Sequence, residues 1–142
     1  KKRYNLNNIK LLPYQPRENI HFSLGAADVQ VVILGNNCIG YTHPNKIYGA
    51  MYIAKPLLYI GPENSHITDI LDLFPDNISV RHGDVDKLYN ELLNLSNYPE
   101  SKLSSIGNEN RLYAQNNFAP KLLINKMVDV ISGKIIDDII TN

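Results

Sequence analysis

The sequence predicts an α/β fold, in which a doubly wound parallel sheet is followed by a helical tail. Short apolar runs alternate four times with amphipathic stretches, after which only helical patterns remain. Such alternation favours right-handed crossovers and a parallel sheet with helices on its faces. The length of 142 residues and the apolar fraction of 44% are typical of one domain, covering residues 1–142.

Four strands are predicted, and the second of them has the clearest pattern. Its six residues, "VQVVIL" at 29–34, are nearly all apolar and rich in β-branched side chains, as expected for a strand that is covered on both faces. Shorter apolar runs predict the other strands at 8–14, 56–61 and 77–83. We therefore expect a small sheet that begins near its middle, with one edge and part of its faces uncovered.

Helices are predicted between these strands and after the last one. Ser65 and Asp84 have the side chains of N-cap residues, and Pro120 suits the first turn of a helix. In one of these helices Ile47, Ala50, Met51 and Ala54 recur on a single face, which predicts that this face is buried. The predicted helices cover residues 18–28, 45–54, 65–74, 84–95, 99–118 and 119–132.

Composition and spacing exclude several classes of function. Fourteen basic and fourteen acidic residues cancel, which disfavours a nucleic-acid partner because phosphate binding depends on positive charge. Cys38 is the single cysteine, and the four histidines lack the spacing of metal ligands, so we expect no disulfide, no metal and no other cofactor. The lone cysteine fits a reducing, cytoplasmic setting. No apolar run approaches the roughly 20 residues of a membrane span, so we expect the chain to be soluble.

The loop at 35–46 is the candidate site, because ligands of open parallel sheets bind beyond the carboxyl ends of the strands. Asn45 is a predicted N-cap and Pro44 fixes the entry of the chain into the helix. Lys46 adds a positive charge beside the free N–H groups of the first turn. The pattern predicts an anion site, and ordinary capping beside a solvated Lys46 is the alternative interpretation.

Two long stretches resemble a known family. "NIKLLPYQPRENIHFSLGAADVQVVIL" and "PNKIYGAMYIAKPLLYIG" resemble the C-terminal, donor-binding domain of the group 1 (family 4) glycosyltransferases, in particular a subgroup of bacterial polysaccharide biosynthesis with a PSK-x-YG segment. The later "SSIGNENRLYAQNNFAP" is similar to a late helix of that family. The resemblance covers residues 8–135. It implies part of the Rossmann-like C-terminal half of a two-domain GT-B enzyme that binds a nucleotide sugar without a metal.

The resemblance also implies where the donor lies. Many members have two glutamates separated by seven residues, but Tyr41 and Gly49 occupy those places here, so neither carboxylate is present. We expect Lys46 to face a cleft that it shares with Tyr14 and the loop at 36–43. By resemblance, the base and ribose lie at Leu12, Pro13, Tyr14 and Gly49, and the diphosphate and sugar lie at Asn36, Asn37, Tyr41, His43, Pro44, Asn45 and Lys46. Catalytic residues are not assigned.

Two functions fit the sequence. One is retaining sugar transfer to a glycan or lipid-linked acceptor in surface polysaccharide biosynthesis, by a longer enzyme that adds an N-terminal acceptor domain and is cytoplasmic or peripheral to the membrane. By itself this part is expected to be inactive. The other is a non-catalytic nucleotide-binding or assembly module, which the absence of acids at Tyr41 and Gly49 favours. The unpaired sheet edge is expected to promote self-association, or else to be covered by the N-terminal residues of the same chain. A flavodoxin-like or receiver domain is disfavoured because the expected acidic cluster is absent from the first strand end.

Overall fold

Residues 6–134 are described by a computed structural model, in which three parallel strands form one sheet. The strands are β1 (Gln30–Ile33), β2 (Leu57–Ile60) and β3 (Ile78–Val80), in the order β1-β2-β3. Val32 is paired with Tyr59, and Tyr59 is paired with Ser79. The prediction of an α/β fold with a parallel sheet is confirmed, and three of the four predicted strands are present.

The helices begin close to the predicted residues. Ser65 and Thr68 form a capping box, in which each side chain accepts a hydrogen bond from the backbone N–H of the other residue. The Asp84 side chain accepts a hydrogen bond from the Lys87 N–H at 3.1 Å, so both predicted caps are confirmed. None of the helices in residues 6–134 has the length and apolar content needed to cross a membrane. The helices are α1 (Ile20–Gly25), α2 (Lys46–Tyr52), α3 (His66–Leu71), α4 (Val85–Ser96), α5 (Glu100–Phe118) and α6 (Pro120–Ile131).

The main apolar core covers one face of the sheet. Val32 and Tyr59 point from the strands into this core, where they meet α2, α3 and α5. Ile47, Ala50 and Met51 of the predicted apolar face of α2 are buried, whereas Ala54 lies beyond the end of the helix at Tyr52 and is partly buried. A second, smaller core lies on the opposite face, which we call the α4 face, and consists of Leu58, Ile78, Val80 and Leu95.

A polar contact fixes α5 against the beginning of β2. Asn110 is fully buried and exchanges two hydrogen bonds with Asn77, at 2.8 and 3.0 Å. The Asn110 amide also donates to the carbonyl of Lys55 at 3.0 Å, and the Asn77 oxygen accepts from the Leu57 N–H at 2.8 Å. Because directional bonds replace apolar packing at this point, α5 is held at one position along the sheet.

The predicted strand at 8–14 is wrong. Residues 6–16 have no regular structure, and Leu11 and Leu12 are largely exposed. A strand requires a neighbour for its backbone hydrogen bonds, and no such neighbour is present among the described residues. The predicted helix at 18–28 is also shorter, since a 3-10 turn at Arg17–Asn19 leads into α1 and the helix ends at Gly25, a residue with low helix propensity.

One part of the sheet is uncovered. β1 pairs only with β2 within the described chain, so its other side is an edge. Val31 and Ile33 lie on the α4 face, but they are 44% and 58% exposed because α4 packs over β2 and β3. An apolar strip therefore runs along the edge of the sheet at β1.

Candidate functional site

Side chains that follow all three strands meet in one cavity at the carboxyl edge of the sheet. We call it the strand-end cavity, and its volume is about 300 Å³. This edge is where open parallel sheets bind ligands, so the cavity is the candidate site. It is lined by Asn36 and Ile39 after β1, by Gly61, Pro62, Glu63 and Asn64 after β2, and by Arg81 and His82 after β3.

His82 connects the two outer strands of the sheet. Its Nε2 lies 2.8 Å from the carbonyl oxygen of Leu34, which directly follows β1. A carbonyl oxygen can only accept a hydrogen bond, so Nε2 must carry the hydrogen. In the neutral imidazole the other nitrogen, Nδ1, then has a free lone pair and is an acceptor.

Glu63 and Arg81 form an ion pair at the mouth of the strand-end cavity. The guanidinium Nη2 of Arg81 donates to Oε2 of Glu63, and both side chains are more than half exposed. This hydrogen bond, together with the positive charges of Arg81 and Lys87, lowers the pKa of Glu63. The same bond, together with the charges of Glu63 and Asp84, raises the pKa of Arg81. Glu63 is therefore an ionised hydrogen-bond acceptor at neutral pH.

A second polar cluster lies at the beginning of α2. The rings of His43 and His66 are stacked with 3.7 Å between their centroids, and Nε2 of His43 lies 2.6 Å from the Tyr48 hydroxyl. These contacts hold the loop before α2 beside the beginning of α3. Burial, and then the nearby His43, lower the pKa of His66. Nε2 of His66 is buried and has no hydrogen-bond partner among the described residues.

The helix after the loop begins at Lys46, as predicted, but Asn45 does not cap it. The Asn45 side chain makes no capping hydrogen bond, and its backbone is helical, with φ −54° and ψ −13°. A capping side chain normally requires an extended backbone, from which it reaches the N–H groups of the first turn. Here the Ile47 N–H instead donates to the carbonyl of Pro44 at 3.1 Å.

The other residues predicted for the diphosphate and sugar are exposed, except Pro44, which is partly buried, and they make different contacts. Asn36 and Asn37 are both exposed in the short turn at Asn36–Cys38, and of the two Asn36 lines the strand-end cavity. Tyr41 is 92% exposed, and the side chain of Lys46 also points into solvent. His43 is exposed as a residue and contacts Tyr48 and His66 through its ring.

The residues predicted for the base and ribose are not enclosed. Leu12 lines a separate shallow cleft with Phe22 of α1, and Pro13 is exposed. Tyr14 is 97% exposed, so it forms no wall of a cleft shared with Lys46 in the described chain. Gly49 is exposed on α2, with open space where a side chain would begin. The expected shared cleft is therefore not formed by residues 6–134.

Sequence reasoning missed Glu63, Asn64, Arg81 and His82. They follow β2 and β3, both of which were predicted, and the rule that placed a site after β1 applies equally to those strands. The signal was therefore available in "GPEN" at 61–64 and "RH" at 81–82. His66 was missed because only the folded chain brings it against His43.

Comparison of this chain with family models, curated proteins and solved structures gives no match. The structure alone shows the fold class, which is α/β with a parallel sheet. Among residues 6–134, no group of three or more His, Cys, Asp or Glu side chains is arranged to hold a metal ion. The strand-end cavity therefore offers hydrogen-bond donors and acceptors around the ion pair of Glu63 and Arg81, which has no net charge.

Proposed function

We propose that the chain is the donor-binding part of a retaining glycosyltransferase, which transfers a sugar from a nucleotide sugar to a glycan or lipid-linked acceptor in surface polysaccharide biosynthesis. The observation that carries the proposal is the polar strand-end cavity, which opens beyond the carboxyl ends of all three strands. Nucleotides of doubly wound folds bind at this edge. The resemblance of "PNKIYG" at 44–49 to the family's donor-binding segment adds the nucleotide sugar as the substrate class.

Lys46 has the central role in this proposal. When the sugar leaves, negative charge develops on the diphosphate, and a positive group placed there lowers the barrier. Lys46 supplies that charge without a metal, and its exposed ammonium group is free to reach a bound diphosphate. The exposed ring of Tyr14 offers an aromatic surface on which a base can stack.

Calorimetric titration of UDP and GDP into the 142-residue chain tests the proposal. We expect weak binding of one of these nucleotides, and Lys46→Ala should weaken it by roughly threefold to tenfold, since an exposed charge contributes about 1 kcal/mol. Lys126→Ala is the matched control, because Lys126 is an exposed lysine of α6, a helix that lines none of the clusters described above. The proposal fails if neither nucleotide binds, or if both variants bind like the wild type.

A non-catalytic assembly module is the second candidate, and one observation favours it. The apolar strip of Val31 and Ile33 lies along an unpaired strand edge, which is a surface that another chain can cover. The same titration separates the candidates, because a pure assembly module binds no nucleoside diphosphate. Sedimentation at increasing concentration would then show the association directly.

A further inference from the structure

We infer that Glu63, Arg81 and His82 form a binding site for an uncharged, hydroxyl-rich group, namely one monosaccharide unit. The inference deepens the proposed function and rests on it for the origin of the sugar, which is either the donor or the end of an acceptor glycan. The existence of the site is argued from the strand-end cavity itself.

The three side chains leave both acceptors and donors for a ligand. Glu63 binds Arg81 through Oε2, and its second carboxylate oxygen has no hydrogen bond from the described residues. Arg81 uses Nη2 in that bond, and its other N–H groups remain donors. His82 directs Nε2 to Leu34, which leaves Nδ1 of the neutral ring as an acceptor. A sugar hydroxyl both donates and accepts, so each of these atoms suits it.

The charges around the ion pair oppose a phosphate ligand. Lys87 acts on Glu63 and Asp84 acts on Arg81, so the local set contains two positive and two negative groups. A phosphate would meet no net positive field, and it would have to displace the Glu63 carboxylate from the guanidinium. An uncharged polyol can instead bind the free atoms while the ion pair stays intact.

The size and walls of the strand-end cavity fit a single sugar ring. Its volume of about 300 Å³ is at the lower end of ligand pockets, too small to enclose a whole nucleotide sugar. Ile39 and Pro62 add an apolar wall that can contact the C–H face of a ring, and the Asn36 and Asn64 amides add further donors and acceptors.

Nuclear magnetic resonance of the 142-residue chain tests the inference. The probes are the methyl α-glycosides of glucose, galactose, mannose and N-acetylglucosamine, followed by UDP and GDP alone and by UDP-glucose. We expect at least one glycoside to shift the ring signals of His82 and the Nε–H signal of Arg81, while the ring signals of His21 on α1 stay in place.

Variants of the ion pair make the test specific. Glu63→Ala and Arg81→Ala should each weaken glycoside binding roughly tenfold to a hundredfold, which is the usual effect of losing one hydrogen bond with a charged partner. Asp76→Ala is the matched control, because Asp76 is also an exposed carboxylate near a cation, Lys102 at 4.0 Å, and it does not line the strand-end cavity. It should leave glycoside binding unchanged.

The outcomes for the site and for the proposed function are separate. The inference is overturned if no glycoside shifts the His82 or Arg81 signals, or if Glu63→Ala and Arg81→Ala bind like Asp76→Ala. Glycoside binding without UDP or GDP binding supports the site and rejects the nucleotide-sugar proposal. If UDP-glucose shifts these signals and UDP does not, the sugar belongs to the donor. Shifts with glycosides but not with UDP-glucose, in a chain that binds UDP, assign the site to an acceptor glycan.

Discussion

Replacement of Gly107 by alanine should destabilise the protein, although an alanine in a helix normally does the opposite. Gly107 is buried in α5, and a Cβ there would overlap the carbonyl group of Ala54 and lie 2.9 Å from the Lys55 nitrogen. Both neighbours are backbone atoms, so no side chain can rotate away. Overpacking costs about 3 kcal/mol at the upper end of the usual range. The helix propensity of alanine returns about 1 kcal/mol, which leaves a net loss of about 2 kcal/mol.

Gly49→Ala is the matched control for this change. Gly49 lies inside α2, and a Cβ there would meet nothing within 4 Å, so this variant should gain about 1 kcal/mol from helix propensity alone. Urea unfolding measures both effects, and the two midpoints should differ by roughly 1.5 M if the slope is near 2 kcal/mol/M. The packing argument is refuted if Gly107→Ala is as stable as the wild type.

Two further predictions concern buried polar groups. Asn110→Ala should cost about 3 kcal/mol, because it removes three hydrogen bonds, two with Asn77 and one to the Lys55 carbonyl, at about 1 kcal/mol each; the idea fails if urea unfolding shows a loss below 1 kcal/mol. Burial lowers the pKa of His66 in the folded chain. As the pH falls below about 6.5, the unfolded chain therefore binds a proton that the folded chain does not bind. The free energy of unfolding decreases until the pH passes the folded pKa. Unfolding at pH 7.5 and 5.5 should show a smaller decrease in His66→Gln, whereas an equal decrease would contradict this origin.

Strands that have a neighbouring strand in the sheet could be predicted from the sequence. The same kind of pattern wrongly predicted a strand where no neighbour is present. The pattern at 29–34 predicted β1 within one residue of each end, because the strand pairs with β2 and buries Val32. The pattern at 8–14 looked similar, but Leu11 and Leu12 stay exposed. Periodicity reports which side chains could be buried, whereas a strand also needs a neighbour to accept its backbone bonds.

The candidate site was predicted only where one loop was informative by itself. Asn36 lines the strand-end cavity, and α2 begins at Lys46, because both follow from the end of one strand and the start of one helix. Arg81 lies 18 positions from Glu63, and the order of the strands makes them neighbours. The sequence separation of Glu63 and Arg81 does not predict their contact unless the order of the strands in the sheet is known.

The exchange of hydrogen bonds between Asn77 and Asn110 has a consequence for how uniquely α5 docks. Apolar side chains tolerate sliding, since one leucine can replace another in the same hole. An amide pair does not, because a shift of one helical turn, about 5.4 Å, would break both hydrogen bonds between these two buried amides at once. Alternative registers of α5 are thus penalised even where their apolar contacts are equivalent. Substitutions on the exposed face of this helix can accumulate without altering its alignment, provided that Gly107 and these two asparagines remain.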